Sequence, residues 1–160
     1  MSIAESLMAE FEAQVPVTRR FLERLPEDKL AWKPHAKSIS ADQLALHIAR
    51  VPGAIALAAQ QDSVPPPDFG NIPQPSSLRE ILTAHDESAA IVRKTLSEID
   101  NARMQSTWRI VQNGKEILAM PRGEFLRNIM LNHWYQHRGQ FSVYLRLLNV
   151  PVPASWGPRA

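Results

Sequence analysis

The sequence predicts an all-α fold: a single four-helix bundle with one small β-hairpin between its third and fourth helices. Four stretches carry apolar residues at helical spacing. Three of them open on Ser-x-x-Glu or Ser-x-x-Gln, and an Asn-Gly pair flanked by β-type runs separates the third from the fourth. With 160 residues the chain has the length of one domain. A domain of that size buries about 70% of the surface its unfolded chain exposes, so a core can form without staples.

The three openings are Ser2-x-x-Glu5, Ser40-x-x-Gln43 and Ser77-x-x-Glu80. Each reads as a capping box. The serine hydroxyl takes a free backbone N–H, and the Glu or Gln side chain reaches back to the serine N–H. The first series continues through Ile3, Leu7, Phe11, Val15, Thr18, Leu22 and Leu25. The second runs Leu44, His47, Ile48, Val51, Ile55 and Ala58, and the third runs Leu78, Ile81, Leu82, His85, Ala89, Val92, Leu96 and Ile99. Pro121 suits the first position of a fourth helix, whose inner face reads Leu126, Ile129, Met130, His133, His137, Gln140, Tyr144 and Leu147 or Leu148. Pro16 and Pro52 fall inside the first two helices and predict kinks. Pro52 lies little more than one turn beyond His47.

The connections differ in kind. Residues 26–38 form a proline-bearing crossover containing Trp32. Residues 62–76 hold five prolines and no helical period, and predict an extended, poorly ordered loop. Asn113-Gly114 within residues 108–118 predicts a two-stranded hairpin, because both turn positions need positive φ. The ending, residues 151–160, has three prolines and a large apolar Trp156, and is expected to fold back on the bundle.

Composition narrows the function. The 18 basic and 16 acidic residues leave a net charge of +2, and the basic ones are scattered. That gives no electrostatic footprint for nucleic acid. There is no cysteine, hence no disulfide, thiolate ligand or cysteine nucleophile. The opening residues lack the basic-then-apolar pattern of a signal peptide, and no apolar run reaches the ~18 residues of a membrane span. A cytoplasmic protein without membrane contact is expected.

The chemistry lies in the histidines. His133 and His137 stand one turn apart on one helix face, so both can reach one ion. His47 lies on an apolar stripe of another helix. Polar groups aimed at a core need a partner, and burial without one costs ~1–3 kcal/mol each. One divalent metal ion would answer all three. A lone histidine on an apolar face is more often an ordinary core histidine, which is the reading for His85, while His35 belongs to a loop. Trp134 stands where a zincin protease would carry its catalytic glutamate. No Glu-x-x-His occurs, which argues against a ferritin-like di-iron centre. No Walker or Gly-rich nucleotide motif is present.

His47 after the second cap, the run His133-x-x-x-His137-Arg138-Gly139-Gln140, Trp32-Lys33-Pro34-His35, and the endings Leu147-Leu148-Asn149-Val150-Pro151-Val152-Pro153 and Trp156-Gly157-Pro158 together resemble the DinB/YfiT-like family of metalloenzyme-like bundles. The likeness spans essentially the whole chain. It implies an up-down-down-up four-helix bundle, often dimeric, with His47, His133 and His137 on one divalent ion. Some relatives are transferases or isomerases that depend on a small cellular thiol.

Three neutral imidazoles leave the ion's charge intact and at least one position open, the pattern of a catalytic site. Imidazole suits zinc, nickel, copper and iron, with zinc or nickel favoured here. Because the chain has no cysteine, any thiolate must come from a low-molecular-weight thiol acting with a small-molecule electrophile. The competing readings are a metal-dependent hydrolase, a non-enzymatic metal-binding or stress-response protein, and a plain bundle with satisfied core histidines. Gln43, Gln140 and Asp86 are the candidates to orient the ligands.

Overall fold

The computed structural model describes residues 1–68 and 70–155. Its long helices are α1 (Ile3–Leu22), α2 (Ala41–Gln60) and α3 (Leu78–Glu98), followed by a composite fourth stretch. That stretch is α5 (Arg122–Phe125), a π-helical segment (Leu126–Asn132) and α6 (His133–Leu147). Short α4 (Asn101–Gln105) and strands β1 (Ser63–Val64), β2 (Thr107–Gln112) and β3 (Lys115–Pro121) complete the described elements, with a 3-10 turn at Glu27–Lys29.

The caps form with local variations. At α1 the box is closed: Glu5 N–H donates to Ser2 Oγ and Ser2 N–H to Glu5 Oε2. At α2, Ser40 N–H donates to Gln43 Oε1, while the Gln43 N–H goes to Asp42 Oδ1. Asp42 is buried and also binds the Ser40 hydroxyl and the Gln74 amide. At α3, Ser77 Oγ accepts from Glu80 N–H, but the Glu80 carboxylate accepts from the Ser76 N–H and hydroxyl. Pro121 closes β3 and sits one residue before α5, rather than inside the helix.

Side-chain ties fix the helix directions. Gly53 pairs with Ser88 and Gln60 with Thr95, both 35 residues apart, so α2 and α3 run the same way. Arg19 meets Asp86 while Glu12 meets Arg93, so α1 runs against α3. Glu10 holds Arg127 and Thr18 holds Arg138, so the fourth stretch runs with α1. The core between them includes Leu7, Phe11, Leu44, Ile48, Ile81, Val92, Met130, Trp134, Phe141 and Leu145.

The expected inner face of the fourth helix is shifted. The fully covered positions on α6 are Trp134, Arg138, Phe141, Tyr144 and Leu145, while Gln140 and Leu147 are exposed. His133 and His137 are half-buried, on the flank of that stripe. The π-helical turns upstream explain part of the shift, since the wider coil rotates every later side chain relative to α-helical spacing.

The hairpin forms where Asn113 (φ 52) and Gly114 (φ 75) supply the two positive φ angles. It is not two-stranded, however. Ser63 and Val64 pair in parallel with Arg109 and Ile110, giving the order β1-β2-β3. The start of the proline-rich 62–76 segment is therefore a strand, because the free edge of β2 offers its backbone a ladder. The tail turns away from α6 through Asn149 (φ 58), with Val150 N–H on the Leu145 carbonyl and Asn149 N–H on Arg146, a Schellman closure. Val152 packs on the core; Trp156 lies outside the described residues.

The sheet is docked by capping α2. The last carbonyls of a helix lack intrahelical donors. Here Ala58 O accepts from Trp108 Nε1, Gln60 O from Arg103, and Ala59 O and Gln61 O from Arg122 Nη1 at 2.6 Å each. Arg122 is fully buried and also binds Asp62, Ser106 Oγ and the Arg103 carbonyl. Two guanidinium groups at the negative end of the helix dipole add electrostatic support. Arg122→Met would leave the buried Ala59 carbonyl and the part-buried Gln61 and Arg103 carbonyls without this donor. We expect a loss of about 1–3 kcal/mol in urea unfolding, and little recovery in Arg122→Lys, whose point charge cannot serve the divergent acceptors.

Candidate metal centre

Helix α2 carries His47 in its second turn, beside the buried Ile48, and α6 carries His133 and His137 one turn apart. Antiparallel packing of the two helices brings the three rings together. Ring centroids lie 5.3 Å apart for His47–His133, 4.6 Å for His47–His137 and 4.4 Å for His133–His137. Each ring offers a nitrogen such that the three atoms lie within 4.8 Å of one another. No other group of three or more His, Asp or Glu among the described residues meets that criterion.

The outlying histidines behave differently. His35 is exposed in the crossover, where its Nδ1 accepts from the Lys37 N–H at 3.1 Å. His85 is buried on α3, with Nδ1 3.5 Å from Asp86 and Nε2 without a partner. It is the core histidine the sequence suggested, only incompletely satisfied. Asp86 is engaged by Arg19, and Gln43 by Ser40 and the Ile72 carbonyl. Of the three candidates to orient a ligand, Gln140 is the one in contact: its Oε1 lies 2.9 Å from His137 Nδ1. The oxygen accepts, so Nδ1 carries the proton and Nε2 presents its lone pair.

The hydrogen bonding tests whether these residues suit an ion. His137 Nε2 lies 2.7 Å from His133 Nε2. Between two neutral rings that contact requires one Nε2 to carry a proton. With His137 protonated at Nδ1, His133 must donate from Nε2, and its Nδ1 is then a bare acceptor. That Nδ1 is buried without a hydrogen-bond partner. The Ile129 backbone acts on His133, but without the geometry of a hydrogen bond. A cation among the rings removes the conflict, since both Nε2 atoms then present lone pairs and the His133 Nδ1–H faces the Ile129 side. The donor set fits a divalent metal.

The electrostatics point the same way. Burial, then the neighbouring His137 and His133, pushes His47 down to about 4. Burial and His137 also lower His133, against an opposing pull from the Ile129 backbone. Both rings are neutral near pH 7, as ligands must be.

The DinB family profile matches residues 1–159. The chain belongs to the DinB family. In fold it is similar to a DinB-like protein from Bacillus cereus ATCC 10987, with 20% identity, a TM-score of 0.75, and coverage of 95% of this chain and 97% of that one. A DinB-like protein from Bacillus subtilis is similar at 19% identity and a TM-score of 0.71, covering 96% and 99%. No curated protein matches the sequence. No helix among the described residues is long and apolar enough to cross a membrane.

Depressed histidine pKa values make the metal-free fold acid-sensitive. A group whose folded pKa lies below its unfolded value of 6.5 takes up protons preferentially in the unfolded chain, so stability falls as pH drops below 6.5. For His47 the loss grows down to about 4. Melting temperatures of chelated protein should therefore decline from pH 7 to 4. His47→Ala should flatten that decline without abolishing it, because His133 and His85 are lowered too.

Proposed function

We propose that this DinB-family protein is an up-down-down-up four-helix bundle that holds one divalent ion, zinc or nickel, on His47, His133 and His137. In this reading it transfers a low-molecular-weight thiol to small electrophiles. The observation that carries the metal reading is the set of three imidazole nitrogens within 4.8 Å of one another, drawn from two helices. The parallel α2–α3 and antiparallel α1–α3 ties support the bundle topology.

When bound, such an ion supplies Lewis acidity strong enough to favour the anionic form of a coordinating thiol or water near neutral pH. The chain's own part is to keep two of the rings neutral by burial and to set the His137 tautomer through Gln140; three protein ligands would leave a position on the ion for an incoming ligand. Having no cysteine, it must take its thiol from solution. The hydrolase reading is weaker, because no Asp or Glu among the described residues joins the three histidines to act as a base. The proposal places the protein in the cytoplasm as a homodimer.

Two measurements test the reading. Chelator should lower the wild-type melting temperature, since an ion at ~100 times its Kd stabilises the native state by about 2.7 kcal/mol. His47→Ala, His133→Ala and His137→Ala should each abolish both tight binding and that shift, whereas His35→Ala and His85→Ala should keep them. Turnover of generic electrophiles with glutathione, bacillithiol or mycothiol should depend on the metal. No turnover above metal-free protein with any of them would remove the transferase reading and leave metal binding standing.

A further inference from the structure

Pro52 stands four residues after Ile48, so no helical N–H is available to the Ile48 carbonyl. Ile48 is buried, and a buried carbonyl needs a donor. The donor comes from across the bundle: Trp134 Nε1 hydrogen-bonds Ile48 O at 2.9 Å. Ile48 directly follows His47, and Trp134 directly follows His133. One buried hydrogen bond therefore ties the backbone beside one ligand to the side chain beside another. Without it, α2 and α6 have no polar contact at the level of the histidines among the bonds described.

The surroundings hold both ends of this bond. Trp134 is buried and stacks on Phe11, centroids 5.3 Å apart, so the indole has little freedom. Directly after Pro52, Gly53 N–H donates to Ser88 Oγ at 2.7 Å. A Cβ on Gly53 would stand 2.8 Å from Ser88 Cα, so α3 is pressed directly against α2 beside Pro52. In α6 the His133 N–H bonds to Asn128 O, five residues back, instead of Ile129 O. The π-helical segment thus ends at the ligand itself, and helical irregularities flank the cluster on both sides.

We propose that Trp134 is a positioning residue for the three-histidine centre, acting through the Ile48 carbonyl that Pro52 leaves open to set the spacing of His47 from His133. The inference rests on the metal reading above. A ligand set held by a locked supporting bond binds more tightly than one free to drift by even half an ångström or so.

Trp134→Phe keeps an aromatic ring against Phe11 and removes the donor. Pro52→Ala in the same chain returns a helical N–H to Ile48 O, so the double variant separates the lost hydrogen bond from the lost ring volume. Cobalt(II) affinity and the visible spectrum of the cobalt protein read the site. In Trp134→Phe the affinity should fall by about tenfold or more, with shifted d–d bands. The double variant should recover most of the affinity and the wild-type bands. Proton NMR of the metal-free proteins reads the same geometry without an ion: His47–His133 ring cross-peaks should weaken in Trp134→Phe and return in the double variant. Wild-type affinity and bands in Trp134→Phe, or losses that Pro52→Ala does not restore, would overturn the positioning role while leaving the metal site intact. A wild-type protein that binds no cobalt would instead overturn the metal reading, and the positioning role with it.

Discussion

Helix α2 cannot satisfy its own backbone, and much of the structure is arranged around that constraint. Pro52 opens the Ile48 carbonyl in its middle, and around its C-terminus the carbonyls of Ala58, Ala59, Gln60 and Gln61 draw side-chain donors. Trp134 serves the first of these, and Trp108, Arg103 and Arg122 serve the rest. The donors come from α6, α4, β2 and α5, so satisfying one helix draws together elements far apart in sequence. His47 rides on this helix, and its place relative to α6 follows from the same bonds.

The histidine cluster is costly for a bundle to keep without a ligand. The three rings share a half-buried space, and at His47 and His133 protonation is opposed by burial and by the neighbouring rings. Neutral rings then face a hydrogen-bonding conflict, which shows as the unpartnered His133 Nδ1. Core packing does not require this arrangement: Trp134, Phe141 and Leu145 already fill the inner stripe of α6, with the histidines at its flank. Polar groups that add strain beside a completed core are the mark of a site rather than of a scaffold.

Much of this was legible in the sequence, for identifiable reasons. His133 and His137 stood out because four-residue spacing is a geometric statement, and His47 because it interrupts an apolar stripe. The helix starts were marked by serines with a Glu or Gln three residues on, and the hairpin by Asn113-Gly114, where backbone φ leaves few alternatives. Other features had no local signal. Ser63 and Val64 join a sheet only because β2 offers an edge, which a proline-rich stretch does not announce. The π-helical segment Leu126–Asn132 contains neither proline nor glycine, so the rotation of the α6 face could not be read from its residues. Arg122 has no local signal for its role, yet it is fully buried because the acceptors that hold it lie about 60 residues earlier in the chain. Pro52 was visible, but its consequence depends on a tryptophan of another helix.

The central claim is that His47, His133 and His137 share one divalent ion. Anomalous diffraction from crystals of untagged protein, purified without added metal or a nickel column, tests it most directly. The account predicts an absorption-edge-dependent peak ~2.0–2.1 Å from one nitrogen of each of the three rings. A cluster with no anomalous peak, in which His133 and His137 keep a direct hydrogen bond at full occupancy, would contradict it.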